Sequence, residues 1–356
     1  MATFKYKGMT LTGRLIKYIS VCFIVLFLTT VPADARRSAE GPVELTIYPV
    51  KAGELEKKYQ LVVKAEDQID ADAVPLYEKA AKLIPKDFNQ KQIREWLNLP
   101  VEQLPQTQAE ATLQKYLEPL KVAVRATMCK ECNWPEWKPG DQIENLTEYR
   151  KLVYVITLWA RLEISRRGYE GATIAICTGF GMAGHIGKGP TIIQGVVGAT
   201  IGGLMCKELE QYMQGQDSPN LYRALADMPR PFVDVEKAIE HEKKVRLDLP
   251  PDDIRQGQTA EQKEAVFDRV RSISKRLDNN LNGLQCVEAI RHYAAAHDGR
   301  LPENLSDISK VEVPKDVVSG EAFEYRRTSE GAVLKSGMPQ GGRPKDMIHY
   351  VIVLKK

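Results

Sequence analysis

The sequence lacks an excess of charge of either sign. Its 356 residues contain 50 lysines and arginines against 47 aspartates and glutamates, a formal net charge of +3. Residues 1–35 hold the whole of that excess, so the rest of the chain has 46 basic and 46 acidic residues. A neutral chain has no basic footprint for nucleic acid or for an anionic membrane surface, so we expect no nucleic-acid partner.

The sequence also lacks the biased composition of disordered, collagen-like and many-span membrane proteins. It is 43% hydrophobic and 27% charged and contains 20 prolines, which is the usage of a globular protein. The length is enough for two or three domains, each with a core of its own.

Motifs of established chemistry are few. No serine stands in a nucleophile-elbow pattern. The segment Gly179–Gly184 matches the GxGxxG pattern of dinucleotide sites, but no acid follows about 20 residues later to bind a ribose. Cys129-Lys-Glu-Cys132 has no second CxxC and no HxxxH with which to hold zinc. We therefore expect neither a metal nor a cofactor, and the sequence favours a protein that is not an enzyme.

The first 35 residues have the three parts of a secretory signal. Basic residues end at Lys17, a charge-free stretch of 13 residues covers Ile19–Val31, and Ala33-Asp34-Ala35 supplies small residues for cleavage. The stretch is short for a membrane span, which needs about 20 apolar residues. We expect residues 1–35 to be a signal peptide and the protein to be periplasmic or secreted. An uncleaved N-terminal anchor is the alternative.

Export affects the interpretation of the cysteines, because an oxidising compartment allows disulfides. The spacing of Cys129 and Cys132 allows a structural disulfide or two buried thiols. Cys177 and Cys206 lie about 13 and 16 residues from the turn at Pro190, at similar heights in two antiparallel helices, so a bridge between them is also geometrically allowed.

Apolar residues at helical spacing predict a helical domain over residues 41–250. A helix is expected at 73–81, and prolines then divide the chain into short helices. Longer amphipathic patterns predict three further helices, over 146–167, 170–185 and 191–213.

Glycine is concentrated in the last two of these helices. Eleven of the 25 glycines lie between Gly168 and Gly203, although each weakens a helix by about 1 kcal/mol relative to alanine. Close packing of two helix backbones is the expected compensation. A membrane-inserted hairpin is the alternative, because residues 171–187 and 189–206 carry no formal charge and Gly198–Gly202 is a GxxxG motif. Membrane contact is therefore expected, if at all, through residues 171–206 or through the N-terminus.

The pattern changes after residue 250. Residues 260–296 predict one long amphipathic helix, and short alternating segments then predict strands at 323–326, 332–335 and 350–354, the first two joined by a hairpin. Near the start of the chain, 44–48 and 59–63 are two further candidate strands that we expect to pair. The predicted fold class is mainly α: a helical-hairpin, repeat-like domain over 41–250, then an α+β module over 260–356 with a long helix and a small antiparallel sheet.

Two stretches resemble known helical proteins. Trp159-Ala160 followed by Gly168-Tyr169-Glu-Gly-Ala172 is similar to a tetratricopeptide-type helix hairpin. Over residues 59–242, several motifs in order resemble a group of exported bacterial helical proteins: Ala73-Val-Pro-Leu-Tyr77, Cys132-Asn-Trp134, His185 with Gly189-Pro-Thr-Ile192, and Asn220–Pro231. This resemblance implies architecture and export, and no particular reaction.

The C-terminal part resembles the globular part of type II secretion pseudopilins. The resemblance rests on Ala289–Leu305, which includes Gly299-Arg-Leu-Pro302, and on the later Phe323-Glu-Tyr325. It implies a long helix that leads into a small antiparallel sheet. The chain lacks the apolar N-terminal half-helix and processing site of pseudopilins, so assembly into a pilus is not expected.

The expected function is an exported, non-enzymatic binding or scaffold protein whose partner is a protein or a component of the cell envelope. The alternatives are a membrane-inserted hairpin and an enzyme with a site near His185. Aromatic and polar residues in turns are the candidate binding residues: Trp134, Trp137, His185, Tyr222, Asp227 and Arg230.

Overall fold

The computed structural model describes residues 41–51, 59–136, 146–247, 260–338 and 346–355, and it is mainly helical with a small mixed sheet. This confirms the predicted fold class. The helices are α1 (Ala73–Lys82), α2 (Gln90–Leu97), α3 (Gln106–Gln114), α4 (Leu117–Thr127), α5 (Leu146–Ser165), α6 (Tyr169–Gly187), α7 (Ile192–Met213), α8 (Tyr222–Ala226), α9 (Glu236–Leu247) and α10 (Ala260–Ala296). The strands are β1 (Val43–Ile47), β2 (Ile69–Asp72), β3 (Cys129–Glu131), β4 (Glu324–Arg327), β5 (Gly331–Lys335) and β6 (His349–Leu354).

Side-chain caps define several helix starts. Asp72 accepts a hydrogen bond from the main-chain nitrogen of Val74 at the start of α1. Thr191 and Gln194 form a reciprocal capping box at the start of α7. Each cap satisfies main-chain N–H groups that have no partner within the helix. The predicted helices over 73–81, 146–167, 170–185, 191–213 and 260–296 are confirmed, with small shifts at their ends.

The core is a layered helical bundle. α6 packs between α5 and α7, and α7 also packs on the long helix α10. The glycines allow the close approach of α6 and α7: a Cβ added at Gly198 would lie 2.6 Å from the carbonyl oxygen of Ala183 and 2.8 Å from the Cα of Gly187. The expected reason for the glycines is therefore confirmed at this crossing.

α7 is the one described helix that is long and apolar enough to cross a membrane, and 61% of the relevant stretch is buried inside the protein. A core helix of a folded domain gives the same pattern. Its neighbours α6 and α10 cover it on two sides, which favours the interpretation as a core helix over the membrane hairpin.

The four-stranded sheet has the order β1-β6-β5-β4. β4, β5 and β6 are antiparallel, as expected, whereas β1 adds to β6 in parallel. The predicted pairing of segment 44–48 with 59–63 is wrong, because 59–63 forms no strand. Leu45 and Ile47 of β1 are fully buried, and β1 also contacts α7, so β1 joins the C-terminal sheet at its edge and faces the helical core with its apolar side. The two predicted domains therefore share one sheet.

Candidate functional site

A cleft of about 690 Å³ lies where three separate segments of the chain meet. Residues 59–64 form one wall, α8 forms the second, and residues 310–312 form the third, with His292 of α10 between them. Polar and charged side chains dominate the lining: Tyr59, Lys64, Tyr222, Arg223, Asp227, His292, Lys310 and Glu312. A concave site of this size is ordinary for a binding protein.

Tyr222 joins two walls of the cleft. The residue is 8% exposed, and its hydroxyl donates to the carbonyl oxygen of Glu312 at 2.6 Å. Its main-chain nitrogen donates to the side-chain oxygen of Asn220 at 2.9 Å. Asn220 is fully buried and donates from Nδ2 to the carbonyls of Val50 and Glu288. The start of α8 is therefore fixed to both the N-terminal segment and α10.

A buried ion pair on α10 stabilises the region where the start of α8 meets the N-terminal segment and α10. Arg291 and Glu288, one turn apart on α10, are 3.0 Å apart and completely buried. Arg291 also donates to the carbonyl oxygens of Tyr48 and Ser218, at 3.1 and 2.9 Å. The guanidinium thus joins three segments that are distant in sequence. Because a buried charge needs such partners, the ion pair depends on the packing of these three segments.

The charged side chains on the walls have no ion-pair partners in the part of the chain that the structure describes. Lys64, Arg223 and Lys310 form no ion pair with any acidic side chain that the structure describes, and the same holds for Asp227 and Glu312 with basic ones. Burial lowers the pKa of His292, and the positive charges of Lys51 and Arg223 lower it further. Burial is the larger of these two causes, and the nearby cations add to it.

His185 lies outside this cleft, in the core. Its ring nitrogen Nδ1 is 3.0 Å from the hydroxyl of Tyr77, and its carbonyl oxygen accepts a hydrogen bond of 2.7 Å from the indole of Trp134. Burial, followed by the charge of Lys188, lowers its pKa to about 4. A neutral ring at pH 7 that is 7% exposed is a structural partner for Tyr77.

Two of the other predicted binding residues line the cleft, and two lie outside it. Tyr222 and Asp227 line the cleft. Trp134 packs edge-on against Tyr149 and bonds to His185, so it braces the core. Arg230 donates to Asn282 and to main-chain carbonyls, including that of Met228, and it does not line the cleft. Trp137 lies outside the described residues.

The cysteines form no disulfide among the described residues: Cys129, Cys132, Cys177, Cys206 and Cys286 are all thiols. The bridges that the spacing allowed, Cys129–Cys132 and Cys177–Cys206, are therefore not formed in this structure. Instead, the thiol of Cys129 lies 3.5 Å from the carbonyl of Arg125, and that of Cys132 lies 3.5 Å from the carbonyl of His185. Each sulfur donates to a different carbonyl.

Sequence reasoning missed most of the cleft. Arg223 and Asp227 are four residues apart and close to Tyr222 within Asn220–Pro231, so helical spacing predicts that they lie on one face. Lys64 and Lys310 carry no such signal, because their positions near α8 depend on how distant segments pack.

A second, smaller depression of about 240 Å³ lies between α3, α4 and α5. Its floor is apolar and includes Leu117, Leu120 and Trp159. The ion pair of Arg166 with Glu110, at 2.6 Å, lies at its edge. It is a minor feature beside the larger cleft.

Within the described part of the chain, no group of three or more His, Cys, Asp or Glu side chains is placed to hold a metal ion. Comparison with models of known protein families, with curated proteins and with solved structures finds no match. The geometry of the site therefore has to support any functional conclusion by itself.

Proposed function

We propose that the protein is an exported, non-enzymatic binding protein that takes a segment of a partner protein of the cell envelope into the cleft beside Tyr222. The observation that supports this most directly is the cleft itself, with its volume of about 690 Å³ and its five charged side chains that have no ion-pair partner among the described residues. Unpaired charges on the walls of a cleft are available for a ligand, because no internal bond has to be broken first.

The buried hydrogen bonds beneath the cleft also support this proposal. Asn220, Glu288 and Arg291 hold the floor through buried hydrogen bonds. A site that is already in its binding conformation does not lose ordering entropy when the ligand arrives. Binding therefore needs no rearrangement of α8.

The alternative of an enzyme with a site near His185 receives less support. Tyr77 holds one nitrogen of the ring, and the ring is almost completely buried. A general base needs access to the proton that it removes. The membrane hairpin also receives less support, because α6 and α10 pack on α7.

The resemblances remain part of the proposal. The α5–α6 hairpin turns at Gly168, in line with a tetratricopeptide-type unit, and α10 ends before Gly299, whose φ of 72° permits the turn toward the sheet. We propose that the chain combines a helical-hairpin part with a pseudopilin-like module. Export through residues 1–35 is likewise a proposal, and fractionation of cells that express the full chain with a C-terminal tag tests it.

Affinity capture from an envelope extract tests the binding function, and the variant Ala226→Trp makes the test specific. Ala226 is exposed and lines the cleft, so a tryptophan there fills the site without a change of charge. We expect the wild-type chain to retain a partner and Ala226→Trp to lose it. Ala322→Trp, at an exposed alanine outside the cleft, is the matched control. Equal capture by all three chains would refute the proposed function.

A further inference from the structure

On the basis of the proposed function, we infer that the segment bound in the cleft is an acidic stretch of polypeptide, whose carboxylates are received by Lys64, Arg223 and Lys310. These three cations come from three distant parts of the chain and line one cleft. Their convergence is a property of the fold, and no local run of basic residues accounts for it.

Some other cations of this protein do have acidic partners. Arg271 bonds to the three acids Glu236, Glu264 and Asp268. Arg276 pairs with Asp346 at 2.8 Å. In the cleft, by contrast, three cations lie together without a described acidic partner. An acidic ligand can supply the ion-pair partners that these cations lack among the described residues.

The two acids in the lining narrow the class of ligand. Asp227 and Glu312 share the cleft with the cations. A ligand of uniform negative charge, such as a nucleic-acid backbone, would be repelled by these carboxylates. A peptide can meet both kinds of group, because its acidic side chains pair with the cations and its neutral main-chain N–H groups donate hydrogen bonds to the carboxylates.

The apolar part of the lining also suits a peptide. Ala224, Ala226 and Val311 lie between the charged groups, and Tyr59 adds an aromatic wall. These surfaces can cover the aliphatic parts of a bound segment.

Fluorescence anisotropy on the purified full chain tests the inference. The probes are labelled peptides of about ten residues that alternate glycine with glutamate, glutamine or lysine. We expect the glutamate peptide to bind at least about tenfold more tightly than the other two, and to weaken as salt rises from about 0.05 to 0.3 M. Equal binding of the glutamine peptide would overturn the inference. So would tighter binding of a labelled oligothymidylate or of vesicles that contain phosphatidylglycerol.

Charge reversal identifies the site of this binding. The double variant Arg223→Glu with Lys310→Glu should lose at least about tenfold in affinity for the glutamate peptide. Arg326→Glu, at an exposed position on β4, is the control and should bind as the wild type does. If the double variant unfolds, the milder Lys64→Gln and Lys310→Gln give the same comparison, and unchanged affinity in both refutes the assignment.

The two proposals can fail separately. If Ala226→Trp loses the partner while the charge-reversed chain keeps it, the cleft binds a partner that is not acidic, and only the present inference is wrong. If Ala226→Trp keeps the partner, the proposed function itself is wrong.

Discussion

Arg291 and Glu288 form an ion pair in which both side chains are completely excluded from solvent. Hydrogen bonds from Arg291 to Tyr48 and Ser218 place this pair at the point where β1, the segment before α8 and α10 meet. Removing one partner of such a pair leaves an uncompensated charge in the core.

We predict that Arg291→Met lowers the free energy of unfolding by about 3–5 kcal/mol. Urea denaturation measures this change. Arg167→Ala is the control, since Arg167 pairs with Asp217 at the surface, where the two side chains are 65% and 66% exposed. The control should cost less than about 1 kcal/mol. Similar losses in the two variants would show that the buried pair does not hold these three segments together.

Two glycines of α7 give a matched pair of substitutions. Gly198→Ala places a methyl group 2.6 Å from the carbonyl of Ala183, against backbone that cannot turn aside. We expect a loss of about 1–3 kcal/mol. Gly203→Ala meets nothing within 4 Å, so we expect stability to be unchanged or to rise by up to about 1 kcal/mol from helix propensity. Thermal denaturation distinguishes the two, and a reversed order would contradict the packing of α6 on α7.

The core position of His185 predicts a pH dependence of stability. Its pKa is about 4 in the folded protein, against an ordinary value of 6.5. Between these values the unfolded chain binds the proton and the folded one does not, so stability falls as the pH drops from about 7 to about 4. The expected loss is about 3 kcal/mol.

Comparison of the wild type with His185→Gln isolates this contribution. The pKa values of His292 and His349 are also lowered, and both residues are present in both proteins. Urea denaturation at a series of pH values should show a smaller loss toward acid in His185→Gln than in the wild type. Parallel profiles would mean that the ring titrates normally in the folded protein.

The thiols should be unreactive in the folded protein. Desolvation raises the pKa of Cys286, which is completely buried, and of Cys177, which is partly exposed at the surface, to about 12. At pH 8 the thiolate population is then about a thousandfold smaller than for an ordinary thiol. Mass spectrometry after brief iodoacetamide treatment should show these two sites unmodified in the native protein and modified in guanidinium. A disulfide at Cys177 in protein from the native compartment would contradict the structure.

The local spacing of apolar and turn residues was sufficient to predict most helices and strands of this fold. The stripe along 260–296 has the period of a helix, and α10 covers that range. The hairpin signal at Ser329–Gly331 connects β4 and β5. In both cases the residues that define the element lie next to one another in sequence, so spacing alone determines the structure.

Long-range packing accounts for what the sequence did not reveal. Segment 44–48 alternates like a strand, but its partner β6 lies about 300 residues away, and no spacing rule selects it over the nearer 59–63. The same limit applies to the cleft. Tyr222 and Asp227 were recognised from a local motif, whereas Lys64 and Lys310 join them only through tertiary contacts.

The parallel pairing of β1 with β6 has a mechanical consequence. Val43 lies opposite Tyr350 and Ile47 lies opposite Leu354, so a pull on the chain before Val43 and after Leu354 acts on the two strands in opposite directions along their common axis. Such a force loads the hydrogen bonds between them in shear, and they resist together. They must break before tension reaches the helices between them. The strand pair is thus a clamp that shields the helical core from a force applied at the flanks of the chain.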